Sequence, residues 1–148
     1  MRIVLQKVKR SFVEVDTNIV GEIADGYLLL LAVHRDDSQA DADKLIEKVL
    51  KLRLFSDPGS ESFMEKSIMD VEGGILVVSQ FTLYGDCKKG TRPSFSDSAR
   101  PQEAKELYEY FAHKLRADSG LRVETGEFGA YMEVQITNDG PITLILDS

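Results

Sequence analysis

Tryptophan is absent from the 148 residues, cysteine occurs once, at Cys87, histidine twice, at His34 and His113, and proline four times. Each scarcity excludes something. A lone cysteine forms no internal disulfide, which agrees with a reducing compartment. The two histidines lie far apart and neither has a second ligand at metal-binding spacing, so no metal site is expected. His113 falls in a helical pattern and reads as a surface or boundary residue. The longest apolar run, residues 27–33, is far short of the roughly 20 residues a membrane helix needs. The first ten residues contain Arg2, Lys7, Lys9 and Arg10 but no signal-peptide apolar stretch. The expected setting is therefore the cytoplasm, with no membrane partner. "GDCKKG" has neither Walker nor dinucleotide-fingerprint spacing, and no cofactor is expected.

Positive charge is also in short supply, with 18 Lys and Arg against 25 Asp and Glu and a formal net charge of −7. Non-specific nucleic-acid binding comes mainly from cations that neutralise phosphates, so no DNA partner is expected and any RNA contact must be local. One basic segment exists, Lys88, Lys89 and Arg92, and on its own it reads first as a solvated loop.

With 43% hydrophobic residues, the chain fits one domain, residues 1–148. Residues 2–8, 11–16, 19–23 and 27–33 are β-branched or aliphatic runs that predict consecutive antiparallel strands, with "DTN" and "DG" as turn signals. The last run is apolar throughout, as a strand covered on both faces requires. Ala42, Leu45, Ile46, Val49 and Leu50 then recur at helical spacing, with Ser38 and Asp41 resembling a capping box. Residues 55–73, which include "DPGS", are too long for an idle connection and predict short strand or turn elements. "ILVV" reads as a buried central strand. A second helix starts at Pro101, buries Ala104, Leu107, Tyr108, Phe111 and Leu115, and stops at Gly120. A closing antiparallel pair, 129–137 and 142–147, is expected around "NDG", whose residues suit a chain reversal.

Catalytic signatures of the common kinds are missing. Cys87 invites a nucleophile reading, but no base is oriented toward it in the sequence. "SQFTLYGD", residues 79–86, leaves a core strand and brings the hydroxyls of Ser79 and Thr82 and the amide of Gln80 together. Such a strand end is either ordinary polar surface or a pocket whose unpaired backbone N–H groups stabilise an oxyanion without a titrating side chain.

"SQFTLYGD", then "KKGTRPSF" and "TGEFGAYMEVQITNDGPIT", resemble the D-aminoacyl-tRNA deacylases, which carry an SQFTL motif on one strand and an NxGPxT motif near the C-terminus. The likeness extends to "VLQKVKRSFVEVD", "GEI", "FSD" and "RPSF". It implies a β-rich mixed α/β fold, two sheets in a barrel-like core with two helices outside. It further implies a homodimer that hydrolyses the ester between a D-amino acid, and glycine, and the acceptor end of tRNA, a proofreading reaction that recycles tRNA. Ser79, Gln80, Phe81 and Thr82 are the implied catalytic residues, with the Phe81 and Thr82 N–H groups as oxyanion donors and the 2′-hydroxyl of the terminal adenosine helping to activate water. Phe128 and Met132 are implied walls near that adenosine. Gly140 and Pro141, joined by a cis peptide bond, enter the partner's pocket and exclude an L side chain, supported by Asn138 and Thr143. Lys7 stands where many members have an arginine that braces this motif, and lysine offers a point charge instead of a planar fork. Two rivals remain: a non-catalytic module that binds RNA ends, and a small-molecule esterase using Cys87.

Overall fold

Arg2–Val15 is one long strand, β1, around which the rest is arranged. The computed structural model describes residues 1–57, 59 and 64–148. The runs 2–8 and 11–16, expected as separate strands, are continuous because no turn separates them and each half has its own partner along one edge. The second half pairs antiparallel with β2 (Asn18–Ile23). Asp16 and Thr17 join them at φ 47° and 66°, the conformation whose twist suits a two-residue hairpin. The first half pairs antiparallel with β3 (Gly26–Ala32). β2 and β3 thus lie end to end along β1, and "DG" bends the chain between them instead of forming the expected hairpin.

In α1 (Gln39–Lys51), Ala42, Leu45, Ile46 and Val49 are buried as the periodicity predicts. Asp41 Oδ2 accepts the Ser38 N–H and O–H at 2.9 and 2.8 Å, which anchors the helix start. The short strands β4 (Arg53–Phe55) and β5 (Lys66–Ser67) form a separate two-stranded sheet. The "DPGS" signal lies partly outside the described residues. β6 (Gly74–Ser79) pairs parallel with β3 and, on its other side, parallel with β7 (Val123–Thr125). Between them runs α2 (Pro101–Ser119), ended by Gly120 at φ 65°. Ala104 is only half-buried, whereas Leu107, Tyr108, Phe111 and Leu115 are buried.

Strand alternation sends side chains to two faces. Ile3, Leu5, Tyr27, Leu29, Ile75 and Val77 join the helices in the larger core. Val8, Val13, Ile23, Leu28, Leu76 and Val78 fill the inside of the curl. The sheet rolls until β2 meets β7: a Cβ at Gly21 would sit 2.6 Å from the Thr125 carbonyl oxygen, so closure requires glycine there. The architecture is β-rich mixed α/β, barrel-like, with two helices. Among the described residues no helix is long and apolar enough to cross a membrane.

The C-terminus departs most from expectation. Residues 133–147 form one strand, β8 (Glu133–Asp147), antiparallel to β1 over almost its whole length. Both flanks of "NDGP" pair with β1, so the chain advances through the motif instead of reversing. Between Gln6↔Thr143 and Val8↔Asn138, Lys7 alone faces residues 139–142. The turn-forming residues make a bulge, where an unpaired proline is tolerated within a strand.

Candidate active site

β6 ends at Ser79, opposite Leu31 of β3, and the Gln80 N–H still donates to the Leu31 carbonyl at 2.8 Å. The chain then tightens into a 3₁₀ turn, Phe81–Tyr84, closed by Leu83 N–H to Gln80 O (3.2 Å) and Gly85 N–H to Thr82 O (2.9 Å). Helix starts leave their first N–H groups without internal acceptors. Here those groups belong to Phe81 and Thr82, and neither donates to a described residue. Ser98 Oγ donates to Phe81 O at 3.1 Å and Arg2 Nη1 to Leu83 O at 3.3 Å, so the turn's carbonyls are held from two sides. The Arg2 guanidinium also lies 5.3 Å from the centre of the Tyr84 ring. Burial, reinforced by Asp37, pushes the Tyr84 phenol up to about 12, so it stays neutral.

Beside the turn lies a cavity of about 380 Å³ between β3, β6 and α2. Leu31, Ser79, Phe81, Phe95, Tyr108 and Phe128 form much of its wall, and among the described residues no carboxylate, imidazole or amine does. Phe81, 56% exposed, meets the Phe95 ring edge-on at 5.1 Å. Tyr108 packs against Phe128 at 5.6 Å and donates its hydroxyl to Val77 O at 2.8 Å. Burial raises its pKa further above the ordinary phenol value, which leaves it a wall and not a base. Such a pocket offers apolar contact and a hydroxyl at Ser79, and the turn with the unpaired N–H groups adjoins it through Phe81, while Thr82 is not among its wall residues.

The bulge of β8 is built with equal economy. Asn138 Nδ2 donates to Lys7 O at 3.0 Å and to Ile142 O at 3.2 Å, clamping both of its sides. Lys7 Nζ meets Asp139 Oδ2 at 2.9 Å and lies 5.0 Å from the Phe55 ring centre. Lys7, and then Lys9 at 3.8 Å, hold the Asp139 carboxyl below the usual carboxylate range. The Gly140–Pro141 bond is cis, and Gly140 has φ 117°. A Cβ at Gly140 would meet Ile142 N at 2.9 Å, so position and conformation both require glycine.

Ser79, Phe81 and Phe128 come together at the cavity, while Gln80 Nε2 turns back onto Thr82 Oγ1. Met132 packs instead on the core inside the curl. Thr143 Oγ1 accepts a 3.3 Å bond from Gln6 Nε2. Gly140 and Pro141 are exposed and are not part of their own chain's cavity wall. Phe95, Ser98, Tyr108 and Asp139 escaped the sequence reading. Helical period marked Tyr108 only as core, and nothing local distinguishes the other three.

The D-Tyr-tRNA(Tyr) deacylase family model matches residues 4–147. D-aminoacyl-tRNA deacylases from Thermosipho melanesiensis and Clostridioides difficile are each 53% identical over 148 residues, covering 100% of this chain and 97% of theirs. The solved structure of the c-Myc DNA Unwinding Element Binding Protein is 38% identical, with TM-score 0.93, covering 100% of this chain and 99% of that one. A probable eukaryotic D-amino acid tRNA deacylase, 20% identical with TM-score 0.85 over 99% of this chain and 98% of that one, shares the fold. From this match along nearly its whole length, the chain belongs to the D-Tyr-tRNA(Tyr) deacylase family.

Proposed function

We propose that the protein is a cytoplasmic hydrolase that cleaves the ester between a D-amino acid and tRNA, with the Phe81 and Thr82 N–H groups receiving the oxyanion. The observation that carries this reading is the pair of N–H groups, unpartnered among the described residues, in a turn whose Phe81 lines a cavity with no carboxylate, imidazole or amine among the described residues of its wall. Fixed donors aimed at developing charge need no titrating side chain, and each is worth about 10²–10³ in rate. Thr82 Oγ1 is engaged by the Gln80 amide, which is no base, so its hydroxyl is not activated as a nucleophile. Activation of water then falls to the 2′-hydroxyl of the terminal adenosine, with Ser79 and Phe128 against the nucleoside.

The chirality filter is the Gly140–Pro141 backbone of a second copy in a homodimer. Two features support it: the motif is exposed and is not part of its own chain's cavity wall, and among the described residues β8 pairs only with β1, leaving a long edge with Ile136 and Ile145 exposed. Backbone carbonyls at the motif receive the substrate ammonium and occupy the space an L side chain needs. Lys7 and Asn138 hold the bulge in place, with Asp139 as the link to Lys7. The test is ester loss from D-Tyr-tRNA and L-Tyr-tRNA with pure protein. Rapid loss of the first alone is expected; equal rates would remove the filter, and no hydrolysis of either would leave a module that only binds RNA ends.

A further inference from the structure

Resting on that reading of the site, we propose that the loop between the 3₁₀ turn and α2 is a phosphate-binding arm. It grips the backbone of the single-stranded 3′ end of tRNA as the terminal adenosine enters the cavity. The first observation is electrostatic. Elsewhere many cations are held by carboxylates, Lys7 by Asp139, Arg10 by Glu22 and Lys66 by Asp57. Lys88, Lys89, Arg92 and Arg100 are exposed, and none forms an ion pair with a described residue. Within residues 86–100 these four cations face only two acids, Asp86 and Asp97. Asp97 lies 3.5 Å from Arg35, and Asp86 Oδ1 accepts the Lys88 N–H at 2.9 Å. A net charge of −7 gives RNA no general attraction to the protein; this arm carries a local excess of positive charge.

The second observation is placement. Asp86 and Ser94 exchange both backbone hydrogen bonds, at 2.8 and 2.9 Å, and Gly90 at φ 72° turns the tip. The residue after Ser94 is Phe95, which forms part of the cavity wall and packs on Phe81. Lys88 and Arg92 each stand two residues beyond the Asp86–Ser94 pair, so their Cα atoms lie within about 7 Å of it even at full extension. The base of the arm is therefore fixed at the cavity mouth, and its tip sits where the nucleotides before the adenosine must pass.

The experiment compares wild type with the triple variant Lys88→Ala, Lys89→Ala, Arg92→Ala on two substrates. One is D-Tyr-tRNA and the other is D-tyrosyl-adenosine, which has no phosphate. The ratio of kcat/KM on tRNA to kcat/KM on the adenosine ester should fall at least tenfold, through KM. The salt slope of log kcat/KM on tRNA should become shallower by about 2, at about 0.7 per phosphate contact on single strands. Lys88→Arg with Lys89→Arg should restore both. A triple variant that keeps the ratio within twofold and the slope unchanged overturns the arm while the deacylase reading stands. Wild type inactive on both substrates overturns that reading, and the arm with it.

Discussion

Asn138 uses one amide nitrogen to hold the bulge of β8, with bonds of 3.0 Å to Lys7 O and 3.2 Å to Ile142 O. Asn138→Ala removes both; at about 0.5–1.5 kcal/mol each, the folded state loses about 1–3 kcal/mol. For a chain of this size that is a fall in Tm of roughly 2–12 °C, at about 2–4 °C per kcal/mol. Asn138→Asp keeps the shape but, once ionised, offers only acceptors to two carbonyl oxygens. Lys7 is engaged by Asp139 at 2.9 Å and is not free to neutralise the new charge. Asn138→Asp should therefore be less stable than Asn138→Ala at pH 7.5. The folded state disfavours the charged form, so the carboxyl's folded pKa is raised above its unfolded value of about 3.9. The penalty is then fully present above the folded pKa and shrinks as pH falls through it. Thermal unfolding at pH 7.5 and 5.0 measures this, with the D-Tyr- to L-Tyr-tRNA rate ratio as a functional readout that should drop for both variants. Asn138→Ala melting within 1 °C of wild type, or Asn138→Asp outlasting it at pH 7.5, would refute the clamp.

Three further outcomes are expected. Thr82→Ala should cost less than about tenfold in rate, whereas replacing the adenosine 2′-hydroxyl by hydrogen should cost about a hundredfold or more, the scale of a lost acid–base group; single-turnover deacylation on both substrates decides, and the reverse order sinks RNA-assisted hydrolysis. Cys87 is exposed and lies outside the cavity wall, so Cys87→Ala should keep its rate within about twofold; a loss beyond about a hundredfold, the size for a nucleophile, would restore the esterase reading. Glycine has no side chain to exclude, so Gly-tRNA should be cleaved while L-Tyr-tRNA is spared, and Gly-tRNA surviving as long as L-Tyr-tRNA would end steric filtering.

Local physics made much of this protein legible from its residues. The helical period of residues 42–50 and the Ser38–Asp41 start placed α1, Pro101 and Gly120 bounded α2, and the unbroken apolar run at 27–33 announced a strand buried on both faces. Two ordered motifs, SQFTL and NDGPIT, carried the family, because each is a contiguous string that can be read along the chain without knowing its distant partners. Only the tertiary structure decided what turn-forming residues do. "DG" bends the chain without pairing its flanks, and "NDGP" bulges one strand instead of joining two, because β1 is long enough to pair with both flanks in each case. The same holds for the site. Phe95 and Ser98 reach the turn at Phe81, and Tyr108 the cavity wall, through packing of the loop and α2 on the sheet, and Asp139 meets Lys7 across strands far apart in sequence. Pairing partners and unpaired N–H groups are properties of assembled backbone, and no periodicity along the chain encodes them.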